Sequence, residues 1–110
     1  MNLALALFTH SPHSGLSRDA VAIARACEEG GHRVRVYAGE MRDGALRDSG
    51  LDAQLLAPPR RARGNARKNR DFAARLPGAV ADFSPDLIIG FNKMPGLDVY
   101  YAADAAFAVK

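Results

Sequence analysis

The chain predicts an α/β fold, an open parallel sheet with helices on both faces, and three observations carry that reading. Apolar runs short enough for strands alternate with stretches of helical periodicity. The first run, Leu3, Ala4, Leu5, Ala6, Leu7 and Phe8, is nearly continuous, as a central strand buried on both faces requires. Glycine and proline mark the junctions between the segments. With 110 residues the chain makes one domain, and a 48% hydrophobic content suffices for a real core.

Each element follows in order. Residues 3–8 form the first strand, and a loop over 9–15 leads into a helix over 16–29. Its apolar positions Leu16, Ala20, Ile23, Ala24 and Cys27 recur at helical spacing, with Arg18, Arg25 and Glu29 opposite. Gly30 and Gly31 stop it, because glycine accepts the left-handed backbone common past a helix end. Residues 32–37 alternate in polarity and predict a second strand with one wetter face. The polar stretch 38–52, with Gly39, Gly44 and Gly50, reads as irregular. A weak third strand over 54–57 ends at Pro58 and Pro59. Helix follows the basic segment and runs through Phe83, with a break or kink at Pro77 and Gly78. Ser84, Pro85 and Asp86 turn into a strand over 87–91, and residues 99–103 supply a further strand. The order is β-α-β-β-α-β-β, a Rossmann-like open sheet.

Composition narrows the function classes. A single cysteine, Cys27, permits no internal disulfide, and no spacing of metal ligands is present, so a reducing, cytoplasmic setting is the default. The apolar start lacks a basic leader region and is interrupted by Thr9, His10, Ser11 and Pro12, which favours a core strand over a secretory signal. No run reaches the roughly 18–20 apolar residues of a membrane span. The net charge of +3 is mild but unevenly placed. Arg60, Arg61, Arg63, Arg67, Lys68 and Arg70 cluster with no acid before Asp71, which suggests an anionic partner, either a membrane surface or an anionic acceptor, unless the run is a solvated face. No aromatic residue interleaves with them, so nucleic acid fits less well.

Two places concentrate chemistry. At the first strand-to-helix turn, Ser14 and Gly15 could let a ligand approach the amides of a helix N-terminus. One glycine is short of the dinucleotide fingerprint, and a tight turn with Ser14 or Ser17 as a simple helix cap is the reading the residues favour. Asp19 lies early in that helix, where the dipole favours a carboxylate whatever the function. His10 and His13 are of the type that contacts ligands or moves protons, although loop histidines are commonly just solvated. The second place is the end of the strand over 87–91. There Asn92 offers a donor and an acceptor, Lys93 a point charge suited to phosphate, and Asp98 and Asp104 carboxylates. Ligands of open α/β sheets bind at such carboxyl ends. The plainer reading is a polar loop with a Pro-Gly turn before a half-buried strand carrying Tyr100 and Tyr101.

The run from Gly90, Phe91, Asn92, Lys93, Met94, Pro95, Gly96, Leu97, Asp98, Val99, Tyr100, Tyr101, Ala102 and Ala103 to Asp104 resembles the corresponding stretch of the lipopolysaccharide core glucosyltransferases. These are UDP-glucose:(heptosyl)lipopolysaccharide glucosyltransferases of Gram-negative bacteria, in glycosyltransferase family 4. Pro12, Gly15, Leu16, Arg18 and Asp19 stand where that family has its glycine loop and first-helix acid, and residues 32–37 are similar to its second strand. The resemblance covers nearly the whole chain and is weakest over residues 38–81.

It implies a GT-B architecture, in which two Rossmann-like domains face each other across a cleft. It implies glucose transfer from UDP-glucose to an inner-core heptose with retention, without metal or cofactor, peripherally at the cytoplasmic face of the inner membrane. By resemblance Gly15, beside Ser14, lies near the donor diphosphate, Asp19 near the sugar or acceptor, and Asp104 at the catalytic centre, with Asn92 and Lys93 on the same wall. Ser14 departs from the family, which has a second glycine there. The 110 residues are expected to be a truncated N-terminal domain without the C-terminal nucleotide-sugar domain, inactive alone. The reading of another class is a non-catalytic module that binds anionic lipid or phosphorylated glycan through the basic run.

Overall fold

A computed structural model of the chain describes residues 1–11, 14–42, 46, 49–57 and 63–101. Five strands and two helices alternate in it: β1 (Asn2–His10), α1 (Gly15–Glu29), β2 (Arg33–Met41), β3 (Ala53–Leu55), α2 (Asn65–Val80), β4 (Leu87–Gly90) and β5 (Val99–Tyr100). All the strand pairs are parallel, in the spatial order β3-β2-β1-β4-β5. Leu5 of β1 sits between Val36 of β2 and Ile89 of β4. The order runs one way from β1 to β3 and the other way from β1 to β5. The gap between β1 and β4 is therefore the topological switch point, where a crevice opens at the strands' carboxyl ends.

The apolar run of β1 builds both cores. Leu3, Leu5 and Leu7 face one side with Val34, Val36 and Ala38, covered by Ala20 and Ala24 of α1. Ala4 and Ala6 face the other side with Tyr37, covered by Phe72, Leu76 and Val80 of α2 and by Phe83. Large strand residues thus meet small helix residues on one face, and on the other, two β1 alanines leave room for large residues of α2 and for Tyr37. That complementarity keeps both helices close to the sheet at interior packing density.

Several boundaries differ from the sequence reading, and packing explains two of the differences. Residues 38–41 are not irregular but extend β2, pairing with β1 as far as His10 opposite Met41. Gly39 is there because a Cβ would come within 2.9 Å of the Phe8 carbonyl oxygen and 3.2 Å of the Phe72 ring. The weak third strand begins one residue earlier, at Ala53, and ends at Leu55. Helix α2 runs unbroken past Pro77 and ends at Val80, with 81–83 a turn. An interior proline costs about 3 kcal/mol. Buried Phe72, Leu76 and Val80 span it, and each contributes roughly 1.5–3 kcal/mol, so packing wins. The last strand is only Val99–Tyr100, and residues 102 and 103 lie outside the described residues.

The connection from β4 to β5 is short for a parallel pair, which usually needs a dozen residues or more. Gly96, with φ of 86°, makes the reversal at Pro95 and Gly96. Leu97 then lies over Gly90 so closely that any Cβ there would overlap its side chain. Asp98 closes the loop through its amide to the Ile88 carbonyl (2.9 Å), while its carboxylate accepts from the Ile88 amide (2.8 Å).

Candidate functional site

A serine lattice shapes the turn from β1 to α1. The Ser14 amide bonds the Ser11 carbonyl (3.1 Å), the Ser14 hydroxyl accepts from the Ser17 amide (3.4 Å), and the Ser17 hydroxyl accepts from the Ser11 amide (3.1 Å). Ser14 is thus the helix cap, and Ser17 is buried under the loop it ties down. Gly15, the first helical residue, has an ordinary backbone, and a Cβ on it would meet nothing within 4 Å. Packing among the described residues does not demand glycine there.

Asn92 joins this turn to β4. Its side-chain oxygen accepts the Phe8 amide at 2.7 Å, continuing the β1–β4 pairing one step past the ladder. A cleft of about 340 Å³ opens over this junction, lined by Phe8, Thr9, Ser11, Ser14, Leu16, Glu40, Arg42, Asn69 and Asn92. Its one ion pair among the described residues is Arg42 with Glu40, at 2.8 Å. The remaining polar lining consists of hydroxyls and amides, groups that suit a sugar or a phosphate oxygen. A narrower hollow continues it between Phe8, Thr9, Gly39, Glu40, Lys68, Asn69 and Phe72.

Asp19 is half-buried, and the Tyr101 hydroxyl donates to its carboxylate at 3.1 Å. That hydrogen bond is the main cause that raises the Tyr101 phenol above its ordinary value, and the negative charge of Asp19 adds to it. The Tyr101 ring packs on Phe91 with centroids 5.3 Å apart, so α1, the end of β4 and the residue after β5 meet here. His10 is not a solvated loop residue: it ends β1, is 3% exposed, and its Nδ1 has no partner among the described residues. Burial pushes its imidazole below the ordinary value.

The sequence-derived candidates therefore divide. Ser14, Gly15 and Asn92 gather at the switch point, and Asp19 stands one helical turn beyond the capped end of α1. Lys93 is exposed on the loop after β4. Asp98 lies at the start of β5, its carboxylate held by the Ile88 amide rather than turned to the cleft. Arg63 is exposed just before α2, whose early turns carry Arg67, Lys68 and Arg70. Asp104, Arg60, Arg61 and His13 lie outside the described residues. Glu40, Arg42, Asn69 and Tyr101 were not among the candidates. Reading 38–52 as irregular hid the first two, while Asn69 reaches the cleft only through the packing of α2, and Tyr101 meets Asp19 only because the residue after β5 packs on Phe91. No group of three metal-binding side chains occurs among the described residues, and no described helix is long and apolar enough to cross a membrane.

Fold and site together define a class: a doubly wound parallel α/β unit with a polar, ligand-sized cleft at its switch point. Within that class the chain is similar in sequence, over all of its 110 residues, to the lipopolysaccharide glucosyltransferase WaaG of Escherichia coli (strain K12), with 36% identity. It also matches the crystal structure of WaaG, a glycosyltransferase involved in lipopolysaccharide biosynthesis, with a TM-score of 0.74 and 30% identity over 98% of this chain. The chain spans 28% of the length of that curated relative and 29% of the solved chain. No family model matches it.

Proposed function

We propose that the chain is the N-terminal Rossmann-like part of a retaining, metal-independent GT-B hexosyltransferase that moves glucose from UDP-glucose to a heptose of the lipopolysaccharide inner core. The observation that carries this reading is the end-to-end similarity to WaaG, combined with an open cleft at the same switch point that the sequence singled out. In this reading the first turn of α1, at Ser14 and Gly15, faces the donor diphosphate, where free amides and the helix dipole favour negative charge. Asn92 positions sugar hydroxyls, Asp19 stands near the sugar or acceptor with Tyr101 as its partner, Lys93 borders the wall while Asp98 braces the loop behind it, and Asp104 serves at the reacting centre. The enzyme works peripherally at the cytoplasmic face of the inner membrane.

The test has two arms. Replacing the matching stretch of Escherichia coli WaaG by these 110 residues should preserve glucose transfer from UDP-glucose, and Asp104→Ala or Asp19→Ala in that chimera should reduce it by orders of magnitude. The 110 residues assayed alone should bind weakly without turnover. A chimera that folds but transfers no sugar, or one indifferent to both substitutions, refutes the assignment.

A further inference from the structure

The hollow that continues the cleft is small and polar. About 20 Å³ of it is open to the centre of a water-sized group. One such group needs roughly 10–15 Å³, so one oxygen fits and two do not. Thr9, Glu40, Lys68 and Asn69, all half-buried, supply the polar side chains of its wall. Phe8 and Phe72 form the apolar side, their rings meeting edge to face with centroids 5.7 Å apart.

The hydrogen-bonding capacity around this space is largely open. The Thr9 hydroxyl, the Lys68 ammonium and the Asn69 amide have no hydrogen-bond or ion-pair partner among the described residues. Glu40 gives one carboxylate oxygen to Arg42 at 2.8 Å and keeps the other for a further donor. Asn92 across the cleft differs, since its side-chain oxygen is taken up by the Phe8 amide. Polar groups withdrawn from bulk water without partners cost free energy, so a set of them around one small space favours an occupant that bonds them.

The wall chemistry says what kind of group that is. A carboxylate only accepts hydrogen bonds and an ammonium only donates them. A single oxygen that serves both must donate one hydrogen and accept another, which describes a hydroxyl. Carboxylate and phosphate oxygens only accept, and they bring further oxygens for which there is no room. A methyl group would leave the wall unpaired. Water meets the same description, and a ligand hydroxyl that reproduces its bonds can replace it without loss. Phe8, Thr9, Glu40 and Asn69 line both the hollow and the cleft, so a ligand in the cleft reaches the hollow directly.

We infer that the hollow is a specificity pocket for one hydroxyl of the saccharide held in the cleft, with Glu40 accepting its hydrogen and Lys68 and Asn69 donating to its oxygen. This rests on the reading of the chain as part of a glycosyltransferase that binds saccharide in this cleft. The pocket selects against a sugar that lacks the hydroxyl, which leaves Glu40 and Lys68 without their partner. It also selects against a sugar methylated there, because the hollow has no room for the carbon.

The experiment uses two panels: UDP-glucose with each glucose hydroxyl in turn removed or O-methylated, and a heptosyl acceptor altered likewise at every hydroxyl except the one that is glycosylated. Each member is assayed for kcat/KM with the Escherichia coli WaaG chimera and titrated against the 110-residue chain. One position should lose about tenfold or more on deoxygenation, and more on methylation. The panel in which it falls tells donor from acceptor. Glu40→Ala and Lys68→Met should each narrow that gap and together close it, at that position only. A flat response across both panels overturns the pocket and leaves the transferase reading standing. A sensitive position that the double variant leaves unchanged also overturns the pocket, and a fall in that variant's melting temperature then assigns the hollow to a structural water. No transfer by the chimera and no binding of the unmodified sugars by the chain overturns both readings.

Discussion

Asn92 holds the cleft together and also offers it a side chain, and two substitutions separate those roles. Its oxygen accepts the Phe8 amide at 2.7 Å in a part-buried setting. Asn92→Ala removes the only acceptor this amide has beyond the ladder and leaves the donor without a partner. Such a loss costs about 1–2 kcal/mol. For a domain of this size that is a fall of about 4–8 °C in melting temperature. Asn92→Asp keeps an oxygen in place and should retain most of the stability, while it replaces the amide NH2 facing the cleft with an acceptor. Thermal or urea denaturation gives the first quantity, and hydrogen exchange at the Phe8 amide gives the second, with protection falling in the alanine variant alone. If Asn92→Ala melts with the parent and Phe8 stays protected, the pin between β1 and β4 does not exist, and the cleft wall must be held by something else.

The other predictions concern neighbouring parts. Gly90→Ala should destabilise by about 1–3 kcal/mol in denaturant titration, because its methyl would occupy the space of Leu97 and overpacking forces the loop outward. His10 has a lowered folded-state pKa, so its contribution is complete above the ordinary value near 6.5 and is lost as pH falls through the folded value. His10→Phe, which removes both the charge change and the orphaned Nδ1, should flatten stability against pH in that window. For Tyr101 the folded pKa is raised, so its contribution is complete below about 10 and is lost as pH rises through the folded value. Ultraviolet titration of the tyrosines should show one phenol returning to the ordinary range in Asp19→Asn; an unchanged titration curve would break the link between the two residues.

How much of this was legible beforehand follows from the range of the interactions involved. The element order came through because strand and helix periodicities are local. Residues 3–8 announce a doubly buried strand, and α1 shows its apolar stripe and its glycine stop. The extension of β2 did not come through. Gly39 looks like a turn residue until Phe8 and Phe72 are packed against it. Pro77 looked like a break because the burial of Leu76 and Val80 is tertiary. At the site, the sequence pointed to the polar run at the carboxyl end of β4. It had no means of showing that Asp98 bonds the sheet edge while Asn92 bridges two strands, since those partners lie 10 and 84 positions away.

The sequence by itself determined the alternating parallel architecture, the first helix with a serine cap at Ser14 or Ser17 and the polar run after β4, because each depends on residues within a turn or two of one another. Only the tertiary structure decided which of those polar groups face the cleft. It set Glu40, Arg42 and Asn69 in one cleft with Ser14 and Asn92, and it turned Asp98 and Asp19 toward internal partners. The physical reason is the switch point between β1 and β4. Strands adjacent in space but 85 residues apart at their starts bring their ends together there, and only the packing of α1 and α2 on opposite faces fixes what meets across the gap.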